Sequence, residues 1–234
     1  MVAPSTHYTV RMRPLVIVLA LLSGVARPVF LQAAQGTTAV GTSLPAEIPL
    51  FPLPQVVLFP RVRRPLMIVE PRYREMVADA LKGAGIIGMV LLRPGFERDD
   101  EGRPPIYDIG CAGEIDNYQQ LPDGRYAILL RGLTTFRVLR ETQGKAYRLA
   151  RVEAIPERLP DEDRGALSAV RKQLAQALYN VGLEAPDERL DDAEFVDVAA
   201  ETLTSMPEAT RQDLLERNRV LSRATALREW LEGR

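Results

Sequence analysis

Residues able to do catalytic chemistry are scarce in this 234-residue sequence. It contains one histidine, His7, and one cysteine, Cys111, too few for a zinc site or an internal disulfide. The only lysines are Lys82, Lys145 and Lys172, and no serine stands in a context that would pair it with one of them. No G-x-x-x-x-G-K-[ST] segment is present to hold a nucleotide phosphate. We therefore expect no catalytic residues, no cofactor and no metal site, and we predict that the chain is not an enzyme.

The charge balance limits the partners that the chain can bind. Residues 47–234 hold 27 of the 30 basic side chains and all 31 acidic ones, which gives this part a net charge of −4. Nucleic-acid binding draws much of its affinity from neutralised phosphates, so this balance argues against such a partner. The one basic cluster, Arg61, Arg63 and Arg64, is interpreted as a solvated loop, with contact to an acidic partner as the alternative.

The beginning of the chain differs in composition from the rest. Arg11 and Arg13 precede an apolar run over 14–26, small residues follow, and the first acidic residue is Glu47. A basic start, a short apolar run and a small-residue exit are typical of an export signal. The run over 14–26 is shorter than the about 20 apolar residues that a spanning helix needs. We divide this part into an export-signal-like leader, 1–34, and a flexible linker, 35–46. We expect export to the periplasm if the leader functions. The alternatives are an uncleaved leader, which would bring the chain to a membrane, and a cytoplasmic protein.

Residues 47–156 are predicted to form a compact β domain. The proline-rich segment 47–60 is predicted to be edge strand and turn, because proline cannot donate to a ladder. Apolar residues at helical spacing after Pro71 predict one amphipathic helix over 70–82. Pro122-Asp-Gly124 predicts a hairpin. A small barrel with one inserted helix accounts for this order better than an open parallel sheet does. The remaining strands are expected at 65–69, 86–92, 107–115, 125–131, 133–139 and 147–155.

Residues 157–234 are predicted to form a helical bundle. Four amphipathic stripes are separated by short breaks, such as those at Gly182 and Pro207. A segment of about 75 residues is too small to bury these stripes alone, so we expect the bundle to pack on the β domain.

Several motifs, in the same order, resemble the opening of the N-terminal domain of Lon protease. They cover residues 47–156 continuously, and one position departs from the family, where Thr134-Thr135 precedes Phe136 and arginine is often found. The motifs are Ile48-Pro-Leu-Phe-Pro-Leu-Pro54, Val57-Leu-Phe-Pro60, Pro65-Leu66, Glu70-x-Arg-Tyr-Arg-x-Met76, Asp108-Ile-Gly-Cys-Ala-Gly113, Asp123-Gly-Arg125 and Gly132-x-x-x-Phe-Arg137.

The resemblance implies both a fold and a function. The expected fold is α+β, a PUA-like pseudo-barrel of six or seven short strands with one inserted helix, followed by a C-terminal helical bundle. The expected function is recognition of unfolded or apolar polypeptide segments without the ATPase and peptidase domains of the full protease. A separate protease or chaperone is a candidate partner. The alternative is a PUA-like RNA-binding protein, since a fold alone does not decide function.

A candidate binding site follows from the residues themselves. Leu53 and Phe59 lie among other apolar side chains in a segment so broken by proline that not all of them are expected to point inward. We predict that at least one of them lines a shallow apolar groove together with Tyr118 of the 116–122 loop. Leu53, Phe59 and Tyr118 are therefore the candidate peptide-binding residues.

Overall fold

Five strands close into a barrel in the computed structural model, which describes residues 43–96 and 103–233. The barrel strands are β1 (Glu47–Leu53), β3 (Ile86–Leu91), β4 (Ile109–Gln120), β5 (Tyr126–Thr142) and β6 (Arg148–Ile155). The order is β5-β4-β3-β1-β6, and β6 pairs with β5 again to close the ring. The sixth strand, β2 (Arg63–Ile68), pairs only with β5. The expected α+β fold with six strands is confirmed, although β4 and β5 are long rather than short.

β1 lies within the ring, so its prediction as an edge strand was wrong. Residues 47–50 pair with β6 and residues 50–53 pair with β3, so most of the strand has a neighbour on one side only. A proline whose missing N–H faces the side without a ladder does not interrupt the sheet. Pro49 and Pro52 are accommodated in this way within a closed barrel.

β5 runs through Gly132, where the sequence predicted two separate strands. A Cβ atom added at this position would lie 2.1 Å from the carbonyl oxygen of Phe59. The glycine therefore allows the segment before β2 to approach the strand closely, and Arg61 N–H donates to Gly132 O at 2.8 Å. Gly132 permits a close contact here and does not end the strand.

Five helices accompany the sheet. α1 (Pro71–Lys82) lies between β2 and β3, and the predicted helix over 70–82 is confirmed. The four predicted C-terminal helices are also present. They are α2 (Asp161–Asn180), α3 (Asp192–Thr202), α4 (Glu208–Glu216) and α5 (Val220–Glu232).

Two hydrophobic clusters form the core. The smaller one fills the barrel around Phe136. The larger one includes α1, the inner face of β2 and β5, and all four C-terminal helices, so one core is shared by the sheet and the helices. The residues of the smaller cluster are Ile48, Leu50, Val90, Ala112, Phe136 and Ala150.

A buried ionic cluster joins the sheet to the helices. Arg223 of α5 is fully buried and donates to Asp197 of α3 at 2.5 Å and to Glu157 after β6. Arg61, before β2, pairs with the same two carboxylates. Burial raises the pKa of Asp197 to about 6, although both guanidinium groups contact it. Two guanidinium groups and two carboxyl groups therefore face one another in this cluster.

The basic cluster predicted as a solvated loop is engaged in ion pairs. Besides Arg61, Arg64 pairs with Glu201 at the end of α3, and Arg63 pairs with Asp116. These arginines contact acidic side chains of the same chain, and two of them lie in β2, so the interpretation as a solvated loop was wrong. Contact with an acidic partner stays a prediction.

The predicted leader and residues 35–42 of the linker lie outside the described residues. Within 43–96 and 103–233, no helix is both long enough and apolar enough to cross a membrane.

Candidate functional site

Three strand segments extend beyond the barrel, residues 63–68, 115–120 and 126–131. We call them the exposed sheet. β5 lies in the middle. Its Ala127 is opposite Met67 of β2 on one side and opposite Gln119 of β4 on the other. β3 accompanies β4 only as far as Glu114, which pairs with Ile86. Beyond that point the exposed sheet has three strands and two open edges.

The two faces of the exposed sheet differ in burial. The inner face packs into the large core, and β5 contributes Tyr126, Ile128 and Leu130 to it. The outer face carries apolar side chains that the fold leaves open to solvent, including Met67 at 51% exposure. We call this set the outer face; its members are Pro65, Met67, Asn117, Gln119, Ala127 and Leu129.

A shallow depression lies on the outer face beside β4. Its volume is about 480 Å³, and its walls are residues 117–119 of β4 and 127–129 of β5. Ala127 and Leu129 supply apolar surface, while Asn117 and Gln119 supply amide groups at the rim. Such a surface can cover apolar side chains and still offer hydrogen bonds to a polypeptide backbone.

Ion pairs close the barrel-side end of the outer face. Arg63 donates to Asp116 at 3.0 Å, and Arg131 pairs with Glu114 and, at 3.5 Å, with Asp116. The hydrogen bond from Arg63, with Arg131 nearby, lowers the pKa of Asp116. The two positive charges are matched by two negative ones, so this end carries no net charge to attract phosphate.

A tight turn holds the other end of the exposed sheet. Gly124 adopts a φ of 81°, which favours glycine, and the Asp123 carboxylate accepts from the N–H of Arg125 at 3.1 Å. The Arg74 guanidinium of α1 donates to the carbonyl of Asp123 at 3.2 Å. The predicted hairpin at Pro122-Asp-Gly124 therefore forms, and α1 braces its tip.

The structure does not bring the predicted binding residues together. Phe59 is fully buried in the large core, so it cannot line a surface groove. The centre of the Phe59 ring lies 5.8 Å from the Arg223 guanidinium. Leu53 is partly buried against the same core. Tyr118 is 53% exposed, but it lies in β4 and not in a loop.

Leu53 and Tyr118 also lie far apart along the sheet. Leu53 of β1 pairs with Leu91 of β3. Two residues earlier on β3, Met89 pairs with Cys111 of β4. Tyr118 lies seven residues from Cys111 in the other direction, about 23 Å along an extended strand. A single groove containing both side chains, as the sequence suggested, is therefore not formed.

A second apolar surface lies between α2 and α5. It has a volume of about 450 Å³. Its walls are Gln173, Gln176, Ala177 and Asn180 of α2, the following Val181, and Leu231 and Glu232 of α5. Tyr179 of α2, between the lining residues Ala177 and Asn180 in sequence, is 76% exposed. No unpaired strand lies beside this surface in residues 43–96 and 103–233, and it is the alternative location for a bound peptide.

The single cysteine is buried, and two of the three lysines are held in ion pairs. Burial raises the pKa of the Cys111 thiol above its ordinary range, and the side chain is fully buried. Lys82 and Lys145 both bind the carboxylate of Asp79. Across the part of the chain that the structure describes, no group of three or more His, Cys, Asp or Glu side chains could hold a metal ion.

The sequence profile of the "ATP-dependent protease La (LON) substrate-binding domain" matches residues 47–233. The chain belongs to the Lon substrate-binding domain family.

Relatives of known sequence agree with this assignment. The chain is 29% identical over 197 residues to the Lon protease of Desulfovibrio desulfuricans, covering 80% of the chain and 22% of that protein. It is 29% identical over 211 residues to the Lon protease of Paraburkholderia phytofirmans, covering 84% and 26%. The chain thus spans about a fifth to a quarter of the length of these proteases.

Solved Lon domains share the fold. The N-terminal domain of Mycobacterium avium complex Lon protease superposes with a TM-score of 0.61 at 20% identity, over 80% of this chain and 98% of that one. A Lon N-terminal domain protein from Xanthomonas campestris gives 0.55 at 25% identity, over 79% and 98%. The resemblance inferred from the motifs is therefore confirmed for the family and for the fold.

Proposed function

We propose that the protein binds apolar segments of unfolded polypeptides at its exposed sheet, without cutting them and without hydrolysing ATP. The observation that carries this proposal is the outer face, where Met67 is exposed and Ala127 and Leu129 are only partly buried, beside an amide-lined depression. Membership in a substrate-binding family supports the same partner class. A separate protease or chaperone would act on the bound polypeptide.

The electrostatics favour a polypeptide over RNA at this surface. The basic groups that flank it are all paired: Arg63 with Asp116, Arg131 with Glu114, and Arg125 with Asp123. An RNA site needs unpaired basic groups and stacking aromatic side chains, and the outer face holds neither. Binding is therefore expected to depend little on salt, because burial of apolar surface supplies most of the free energy.

Fluorescence anisotropy with a labelled, unstructured apolar peptide tests this proposal. Ala127→Asp places a charge in the depression and is expected to weaken binding at least about tenfold, because the peptide would have to desolvate the carboxylate. The matched control is Leu139→Asp, which removes an exposed leucine from the same strand on the half that pairs with β6. Both variants must melt cooperatively for the comparison to count. Equal affinity of the two folded variants would refute binding at the outer face.

We also propose export as the setting of this function. The support is the basic and apolar composition of residues 1–34. Mass determination of the mature protein from its native cell tests it, and an intact Met1 would argue for the cytoplasm or for an uncleaved anchor.

A further inference from the structure

The open edge of β4 presents backbone groups at a defined spacing. Leu121 N–H donates to the carbonyl of Arg125 at 2.8 Å, which establishes which residues of β4 face β5. In an antiparallel pair the bonded positions alternate, so Asn117 and Gln119 also direct their N–H and C=O groups to β5. Tyr118 and Gln120 therefore direct theirs to the opposite side.

Within residues 43–96 and 103–233, no strand pairs on that opposite side. β3 ends its pairing with β4 at Glu114, and the last backbone bond there is from Ile115 N–H to Gly85 O, at 2.8 Å. Among the described residues, no strand or bridge pairs with residues 116–120 on this side, and all five are exposed. Two N–H and two C=O groups consequently face solvent, on residues spaced two apart.

The other edge of the exposed sheet is blocked by proline. Gly132 N–H donates to Val62 O at 2.8 Å, so alternate residues of β5 from Gly132 back to Tyr126 bond to β2. It follows that Pro65 and Met67 of β2 direct their backbone groups away from β5. Pro65 has no N–H to offer there, which is a recognised protection of an edge strand.

β4 has no comparable protection over its open stretch. Residues 117–120 contain neither proline nor lysine, and the irregular register lies before them, between Ile115 and Asn117. Asp116, the one charge in the stretch, is paired with Arg63. One edge of the sheet is therefore closed and the other remains able to accept a strand.

We propose that β4 accepts an extended segment of the bound polypeptide as an additional strand, held by the backbone of Tyr118 and Gln120. This inference rests on the proposed function and adds how the segment is held. A strand beside β4 would continue the outer face past Asn117 and Gln119. Its alternate side chains would lie on the inner side, next to the half-exposed ring of Tyr118. Only an extended backbone matches donors and acceptors at this spacing, so the partner is a polypeptide segment rather than a folded helix.

Backbone N-methylation of the peptide tests this mode of binding. The probe is a labelled nine-residue peptide that alternates valine and threonine, with lysine at each end. One derivative is methylated on every valine nitrogen and the other on every threonine nitrogen. Since only alternate residues of an added strand bond to β4, one derivative should lose about thirtyfold in affinity, through two lost hydrogen bonds. The other derivative should bind within about threefold of the parent peptide.

A matched pair of protein variants addresses the same edge. Gln120→Pro removes the outward N–H and leaves the bonds of Asn117 and Gln119 to β5 in place, whereas Gln120→Ala keeps the N–H. We expect the proline variant to bind the parent peptide about tenfold more weakly than the alanine variant. If Gln120→Pro does not fold, the two methylated peptides still decide the question on the unaltered protein.

The outcomes separate this inference from the proposed function. No binding of the unmethylated peptide would refute both. Binding of the parent peptide with equal affinities for the two methylated derivatives would overturn strand addition and leave polypeptide binding in place. A dimer in sedimentation experiments that Gln120→Pro converts to monomer would assign the edge to a second copy of the chain, and would also overturn the proposal.

Discussion

Replacing Arg223 by leucine should destabilise the protein more than any exposed ion pair could. Its guanidinium is fully buried and donates to Asp197, to Glu157 and to the carbonyls of Leu214 and Arg217, the last two at 3.0 Å. Arg223→Leu would leave two carboxylates facing each other, with only Arg61 to neutralise them. Removing one member of a buried ionic cluster in this way costs about 3–5 kcal/mol of unfolding free energy.

The pH dependence of this cost has a definite sign. Without Arg223, the pKa of Asp197 should rise further above its ordinary value, because burial and Glu157 both disfavour its charged form. A carboxyl whose pKa is raised in the folded state contributes stability at pH values below its unfolded pKa, and this contribution is lost as pH rises through the folded pKa. The cost of Arg223→Leu should therefore be larger at about pH 8 than at about pH 5.

Urea unfolding at both pH values measures this prediction. The control is Arg164→Leu, whose guanidinium pairs with Asp161 in full contact with solvent; its cost should stay below about 1 kcal/mol. Adding Asp197→Asn to Arg223→Leu should recover part of the lost stability, because it removes the unpaired charge. A cost for Arg223→Leu below about 1 kcal/mol, or one that does not change with pH, would refute this account of the cluster.

Three further predictions concern packing and activity. Gly132→Ala should lower the free energy of unfolding by about 3 kcal/mol, because its Cβ would meet the Phe59 carbonyl. Gly165→Ala, which has open space within α2, should raise it by about 0.5–1 kcal/mol. Chemical denaturation compares the two variants. Deleting residues 219–234 should lower the melting temperature and increase binding of an apolar dye, since α5 fills part of the shared core. A truncated protein that melts at the same temperature as the parent would show that α5 contributes nothing to this core. The purified chain should show no ATP hydrolysis and no casein cleavage, and ATP-dependent cleavage that disappears on mutation of one of its serines would contradict this.

Much of the fold could be predicted because its signals are local. The helix over 70–82, the hairpin at 122–124 and the four C-terminal helices each follow from spacing and turn residues within one segment. The ordered motifs added the family. The place of β1 within the ring could not be predicted, because the tolerance for Pro49 and Pro52 depends on which neighbour pairs with each half of the strand. The role of Gly132 likewise depends on Phe59, which is distant in sequence.

The outer face was harder to predict because it depends on register. Met67, Ala127 and Leu129 lie in segments that were predicted as strands, but only the pairing of β2 with β5 shows that they share an outer face. Phe59 is a candidate from the sequence because its segment is broken by proline, whereas the core around Arg223 covers it completely. The sequence predicts a loop around Tyr118 because β4 is unusually long and its polar end gives no apolar signal.

Amide hydrogen exchange, with and without the apolar peptide, tests the central claim most directly. The exposed sheet and the surface between α2 and α5 yield separate peptic fragments, so one experiment compares both locations. We predict slower exchange in residues 115–131 on binding, with the largest change at the amides of Tyr118 and Gln120. Residues 173–183 should be unaffected. Protection confined to residues 173–183, with no change in the exposed sheet, would contradict the claim that this sheet binds polypeptides.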